Sequence, residues 1–106
     1  MHNPVLLDNT VLTNFAWAKC AYLPLELWPG HVCVTQAVVE EYRRGVEEVS
    51  LPAGIWDHLP LLSLTHEENE WIQGHLPTYL GIGECSAIAA AFHRQGVFAS
   101  DDLQAR

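Results

Sequence analysis

The chain has 106 residues, 49% of them hydrophobic, with thirteen Asp and Glu against five Lys and Arg for a formal charge of −8. That length holds one domain, residues 1–106, with enough apolar content for a core. The charge excludes a protein that coats nucleic acid without specificity, which needs a basic stripe, and suits a cation-binding cluster of acids or a basic partner.

No apolar run approaches the ~18 residues of a membrane span, and no basic-then-apolar leader opens the chain. A cytoplasmic protein without a membrane partner is expected. Cys20, Cys33 and Cys85 lie apart among apolar neighbours, with no C-x-x-C pair, and read as small core residues. The six histidines lack zinc-ligand spacing.

Asn3 to Asp8 is a short continuous apolar run ending in an acid, the pattern of a strand buried on both faces of a parallel sheet. Asn9 and Thr10 offer N-cap chemistry for a helix over Val11 to about Cys20. Asp8 itself reads equally as a cap or as a site residue. Pro24 and Pro29-Gly30 make Tyr22 to Gly30 a loop or a broken helix. His31 to Val34 is a second strand. Thr35 caps a helix that reaches Gly45, which reads as its C-cap, and Val46 to Gly54 is a linker.

On that helix the ~100° step per residue sets Glu40 among polar neighbours and Glu41 on the apolar face beside Val38 and Tyr42. An inward carboxylate is costly unless something pairs with it. A third strand is expected around Leu61 to Leu64. Thr65 or His66 then opens a polar helix over Glu67 to about Leu76, ended by Pro77. Its acids Glu67, Glu68 and Glu70 read as a solvated face that complements the helix dipole. A last helix over Gly83 to Gln95 puts Glu84 on a face with Ala87, Ile88, Ala91 and Phe92, leaving Ser86, Ala89 and His93 outside. A strand from Gly96 to Ser100 then runs into Asp101 and Asp102.

Asp8, Glu41, Glu84 and the Asp101–Asp102 pair thus arrive from four segments at strand ends or inward helix faces. Clustered carboxylates repel unless a divalent cation holds them, and an all-carboxylate set selects Mg2+ or Mn2+. Such centres activate water and balance charge in phosphoryl transfer.

The motifs V-L-L-D-N-T-V-L (Val5 to Leu12), T-x-x-V-x-x-E-Y-R-R-G (Thr35 to Gly45), G-x-G-E-x-x-A-I-x-x-A (Gly81 to Ala91) and S-D-D-x-x-A-R (Ser100 to Arg106) together resemble the PIN domain, and within it the VapC-like ribonucleases. The resemblance implies an α/β fold, a three-layer α/β/α sandwich around a short parallel sheet. It also implies Mg2+- or Mn2+-dependent endonucleolytic cleavage of RNA, often as the toxin of a toxin–antitoxin pair and commonly as a homodimer. It carries the catalytic role to Asp8, Glu41, Glu84 and Asp101, with Asp8, Glu84, Asp101 and Asp102 as metal ligands and Asn9, Thr10 and Ser100 in support.

Family members usually continue past the S-D-D motif through another helix and a last strand. The expectation is therefore of a PIN-like domain lacking both, with an uncovered sheet edge that favours dimerisation. A non-catalytic PIN-like module that binds nucleic acid or protein is the competing reading. A receiver domain fits poorly because the acid pair is late and the only lysine is Lys19; a haloacid-dehalogenase phosphatase fits poorly because the first strand ends in Asp8-Asn9-Thr10.

Overall fold

The computed structural model describes residues 3–100. Four short strands, β1 (Val5–Leu7), β2 (Val32–Thr35), β3 (Leu61–Leu62) and β4 (Val97–Ala99), form one sheet. Its order is β3-β2-β1-β4 and every pairing is parallel. Five helices connect them: α1 (Asn9–Trp17), α2 (Leu23–Leu27), α3 (Gln36–Val49), α4 (His66–His75) and α5 (Ile82–His93).

The apolar runs are continuous because both faces of the central strands are covered, as parallel sheets require. Side chains alternate between two cores. Val5, Leu7, Val32 and Val34 pack with Val11 and Leu12 of α1 and Val38 and Tyr42 of α3. Leu6, Cys33 and Leu62 pack on the other face against Ala87, Ala90 and Ala91 of α5. Leu6 and Leu7 are fully buried, each contributing about 1.5–3 kcal/mol of apolar burial. The protein is therefore a mixed α/β domain with a four-stranded parallel sheet and helices on both faces.

The topology locates a crevice. From β1 the chain moves outward to β2 and β3, then returns to add β4 on the opposite flank of β1. The direction of winding reverses between β1 and β4, and in open α/β sheets ligands bind at the carboxyl ends of strands at such a point. Gly96 permits the β4 pairing. A Cβ there would collide with the Pro4 carbonyl oxygen, which accepts the Val97 N–H at 2.8 Å.

Several expectations are corrected by what packs against each element. Asp8, not Asn9 or Thr10, holds the N-cap position of α1. α3 runs through Gly45 to Val49 and stops at Ser50 in a left-handed conformation (φ 60°, ψ 37°). Gly45 is instead where the Leu51 side chain folds against the helix with no room for a Cβ. Cys33 and Cys85 are buried, as expected of core residues, whereas Cys20 is only half-buried.

α5 is buried more widely than one amphipathic face allows, because the sheet, α3 and α4 all pack on it. Ser86 and Ala89, expected outside, are buried, while Phe92, expected inside, is 65% exposed. The alanine-rich sequence is what lets three neighbours approach.

Glu68 is the largest correction. It is 1% exposed, not part of a solvated face. Thr65 and Glu68 form a reciprocal capping box at the start of α4: the Thr65 N–H donates to Glu68 Oε1 at 2.8 Å, and the Glu68 N–H to Thr65 Oγ1 at 3.2 Å. Arg94, beyond α5, donates through Nε to Glu68 Oε2 (3.0 Å) and through Nη2 to Glu68 Oε1 (2.8 Å). Arg94 Nη2 also donates to the Ser63 carbonyl at 2.8 Å. One guanidinium thus ties α4 and α5 to the chain just after β3.

Candidate functional site

Asp8 follows the last residue of β1, and its N–H donates to the Ala99 carbonyl at the end of β4 (3.0 Å). The register Leu7↔Ala99 sets Asp8 beside Ser100 at the reversal point. Asp8 Oδ2 accepts from Ser100 Oγ at 3.1 Å and from Thr10 Oγ1 at 3.2 Å. The two hydroxyls lie 3.5 Å apart. Although Asp8 stands at the N-cap of α1, its side chain makes no cap hydrogen bond. The capping explanation for this acid is thereby removed.

Asp8 is 1% exposed, and its Oδ1 is buried with no hydrogen-bond partner among the described residues. The neighbouring Asn9 Oδ1 is in the same position. A buried, unsatisfied carboxylate oxygen costs folding free energy unless a bound water or ion satisfies it.

Glu41 reaches the same edge from α3. Its Oε1 accepts the Gly83 N–H of α5 at 2.6 Å. α5 begins at Gly81 without a side-chain cap of its own, so Glu41 caps it from another helix, where the N-terminal partial charge favours a carboxylate. Burial pushes the Glu41 carboxyl above its ordinary range. The Gly83 hydrogen bond opposes that rise, the Asp8 charge adds to it and Arg44 opposes it.

The second glycine of G-x-G-E has a steric reason. A Cβ on Gly83 would fall on the Glu41 carboxylate. A Cβ on Gly81 would lie 3.8 Å from Glu41 Oε1 and 3.9 Å from Glu84 Oε1, so these two carboxylates flank one point. Glu84 itself is half-buried, with Oε2 shielded from solvent. Gly83→Ala is therefore expected to evict Glu41 from the Gly83 N–H and to lower the unfolding free energy by about 1–3 kcal/mol, the usual cost of leaving a buried polar group without its partner. Urea denaturation measures it.

A hydroxyl relay fixes the same corner. Ser86 Oγ donates to the Gly83 carbonyl at 2.7 Å. Ser86 has a single proton, so in its 2.6 Å contact with Thr35 Oγ1 it is Thr35 that donates. Thr35 Oγ1 meanwhile accepts the Val38 N–H and caps α3. The first turns of α3 and α5 are thus locked together. Thr35 was legible as a cap and Ser86 was not legible as a partner, because nothing in α5 alone marks it.

Three of the acids singled out from the sequence therefore converge on one edge: Asp8 and Glu41 are coupled through their charges, and Glu41 and Glu84 through Gly81. Asn9, Thr10 and Ser100 are at the same place. Asp101 and Asp102 lie outside the described residues. Among the described residues, no group of three or more His, Cys, Asp and Glu side chains has the geometry to hold a metal ion. What is present is one buried carboxylate oriented by two hydroxyls with a spare oxygen, and two further carboxylates close by. All are hard oxygen donors, which suit Mg2+ or Mn2+ rather than zinc.

Comparison with protein-family models, with curated proteins and with solved structures finds no match. Among the described residues, no helix is long and apolar enough to cross a membrane.

Proposed function

We propose that this chain is a Mg2+- or Mn2+-dependent endoribonuclease of PIN/VapC type, cytoplasmic, acting on RNA and paired with an antitoxin protein. The observation that carries the reading is the buried Asp8 Oδ1, without a partner among the described residues, at the reversal point of the sheet. Asp8, Glu84, Asp101 and Asp102 would hold the metal, and the four-motif resemblance assigns the catalytic work to Asp8, Glu41, Glu84 and Asp101.

A bound divalent ion supplies a more acidic water and charge balance at the phosphate. The chain's own residues supply the orientation. Thr10 and Ser100 fix Asp8 Oδ2 and leave Oδ1 for the ion. Gly83 holds Glu41 at the edge of the site through its N–H. Phe92 and Val97, 65% and 59% exposed, offer apolar surface for a homodimer.

The charge supports one rival. The described cations are Lys19, Arg43, Arg44 and Arg94, and Arg94 is committed to Glu68. So few cations disfavour a grip on phosphates and favour, within the rival non-catalytic PIN-like module, the form that binds protein. Incubation of labelled single-stranded RNA with Mn2+ separates the two. The ribonuclease is expected to cleave, to stop when the metal is chelated, and to lose about 10–100-fold of its rate in Ser100→Ala, where Asp8 loses an orienting hydroxyl. Metal binding without cleavage selects the module; neither binding nor cleavage overturns both.

A further inference from the structure

The first turns of α3 and α5 have a second side. Away from Glu41 and Glu84 they face an open cavity of about 730 Å3 over the carboxyl ends of β2 and β3, walled on the far side by α4 and residues 77–80. Thr35 and Ser86 line it, so the hydroxyl relay that fixes Gly83 is also the partition between this cavity and the acid site. The volume is that of a ligand pocket.

Its chemistry is specific. Leu62, Leu64, Ile72, Leu76 and Ile82 give apolar walls. The polar lining is dominated by uncharged amides and hydroxyls: Gln36, Asn69, Gln73 and Thr78. Glu40 is the single charged residue among those lining it, and it is engaged by Gln36 Nε2 at 3.3 Å. No Lys or Arg is among the lining residues, so a phosphate has no counter-charge there. Asn69 Nδ2 donates to the Thr65 carbonyl at 3.2 Å, which orients the carboxamide and leaves its oxygen and second N–H for a ligand. Oriented amides beside apolar walls are how proteins read the edge of a flat heteroaromatic ring, and single-stranded RNA presents such rings unstacked.

We propose that this cavity is the subsite for an unpaired nucleobase, the base flanking the phosphate handled at the acid site, with Asn69 and Gln73 reading its edge. The proposal rests on the ribonuclease reading in that one RNA strand occupies both places across the Thr35–Ser86 partition. It makes Asn69 and Gln73 specificity-determining residues rather than catalytic ones.

The test is a metal-free titration of the isotope-labelled full chain with each of the four ribonucleosides, followed by NMR at the side-chain amides. Saturable shifts at Asn69 and Gln73 that differ between bases are expected. Asn69→Ala should weaken binding of the preferred base roughly ten-fold, Ile72→Trp should fill the cavity and abolish it, and Asp8→Asn should leave it intact. Such shifts in a chain that cleaves no RNA uphold the base subsite and strike only the ribonuclease reading. If no nucleoside shifts these amides while Mn2+-dependent cleavage proceeds, the subsite is overturned and the ribonuclease reading stands. Shifts that persist in folded Ile72→Trp overturn it too, as does a cavity that responds only to an amphipathic peptide.

Discussion

Arg94→Ala is expected to lower the unfolding free energy by about 3–5 kcal/mol, because it leaves the buried Glu68 carboxylate without its partner. Most of that loss is the penalty on Glu68 rather than the worth of the pair, so replacing both residues with apolar ones of similar volume should be close to neutral. Urea denaturation of the two single variants and the double variant separates these contributions.

The pH dependence has a definite sign. Burial raises the Glu68 carboxyl, but hydrogen bonds from Arg94 and Thr65 outweigh it and hold the group below its ordinary value. A carboxyl depressed in the folded state contributes stability that is fully present above its unfolded pKa and is lost as the pH falls through the folded one. In Arg94→Ala the same carboxyl is buried without its cation and is relieved by protonation. The gap between native protein and variant should therefore be widest near neutrality and close as the solution becomes acidic.

Asp8→Asn is expected to move stability in opposite directions with and without metal. In metal-free protein Asp8 carries a buried oxygen without a partner among the described residues, beside the Glu41 carboxylate. Removing the charge relieves its repulsion of the half-buried Glu41 carboxylate, so stability should rise. With Mn2+ at about 100 times its dissociation constant, the native protein gains about 2.7 kcal/mol that the variant lacks. On the ribonuclease proposal, cleavage of labelled RNA should disappear in Asp8→Asn and persist in Glu67→Gln, whose carboxylate is exposed on α4 outside both the acid site and the cavity. A site residue that weakens its own apo fold is the expected trade-off between stability and function.

What the sequence made legible is what one element determines alone. The apolar run before Asp8 has no polar face and is short, which fits a strand covered on both sides. The helical step separates Glu41 from Glu40, and Thr35 three residues before Val38 can only help α3 as a cap. The illegible parts depend on a second element. Glu68 looks like a dipole-complementing surface acid until Arg94, 26 residues away, is folded against it. Gly45 looks like a helix stop until Leu51 returns to occupy the space. Gly83 reads only as the first residue of the last helix, whereas its missing side chain is the room Glu41 needs. Asp8, Glu41 and Glu84 were readable as acids at a strand end or on an inward helix face, which is where the structure has them. That Glu41 caps α5 was not, since its partner is a backbone N–H on another helix.

The central claim is that the carboxylates gathered where the sheet reverses form a divalent-cation site built on Asp8. Thermal unfolding of the native chain and of Asp8→Asn, followed as Mn2+ is added, tests it most directly. The melting temperature is expected to climb with Mn2+ in the native protein and to stay level in Asp8→Asn, which starts higher. Equal responses of the two proteins to Mn2+, or none in well-folded native protein, would contradict it.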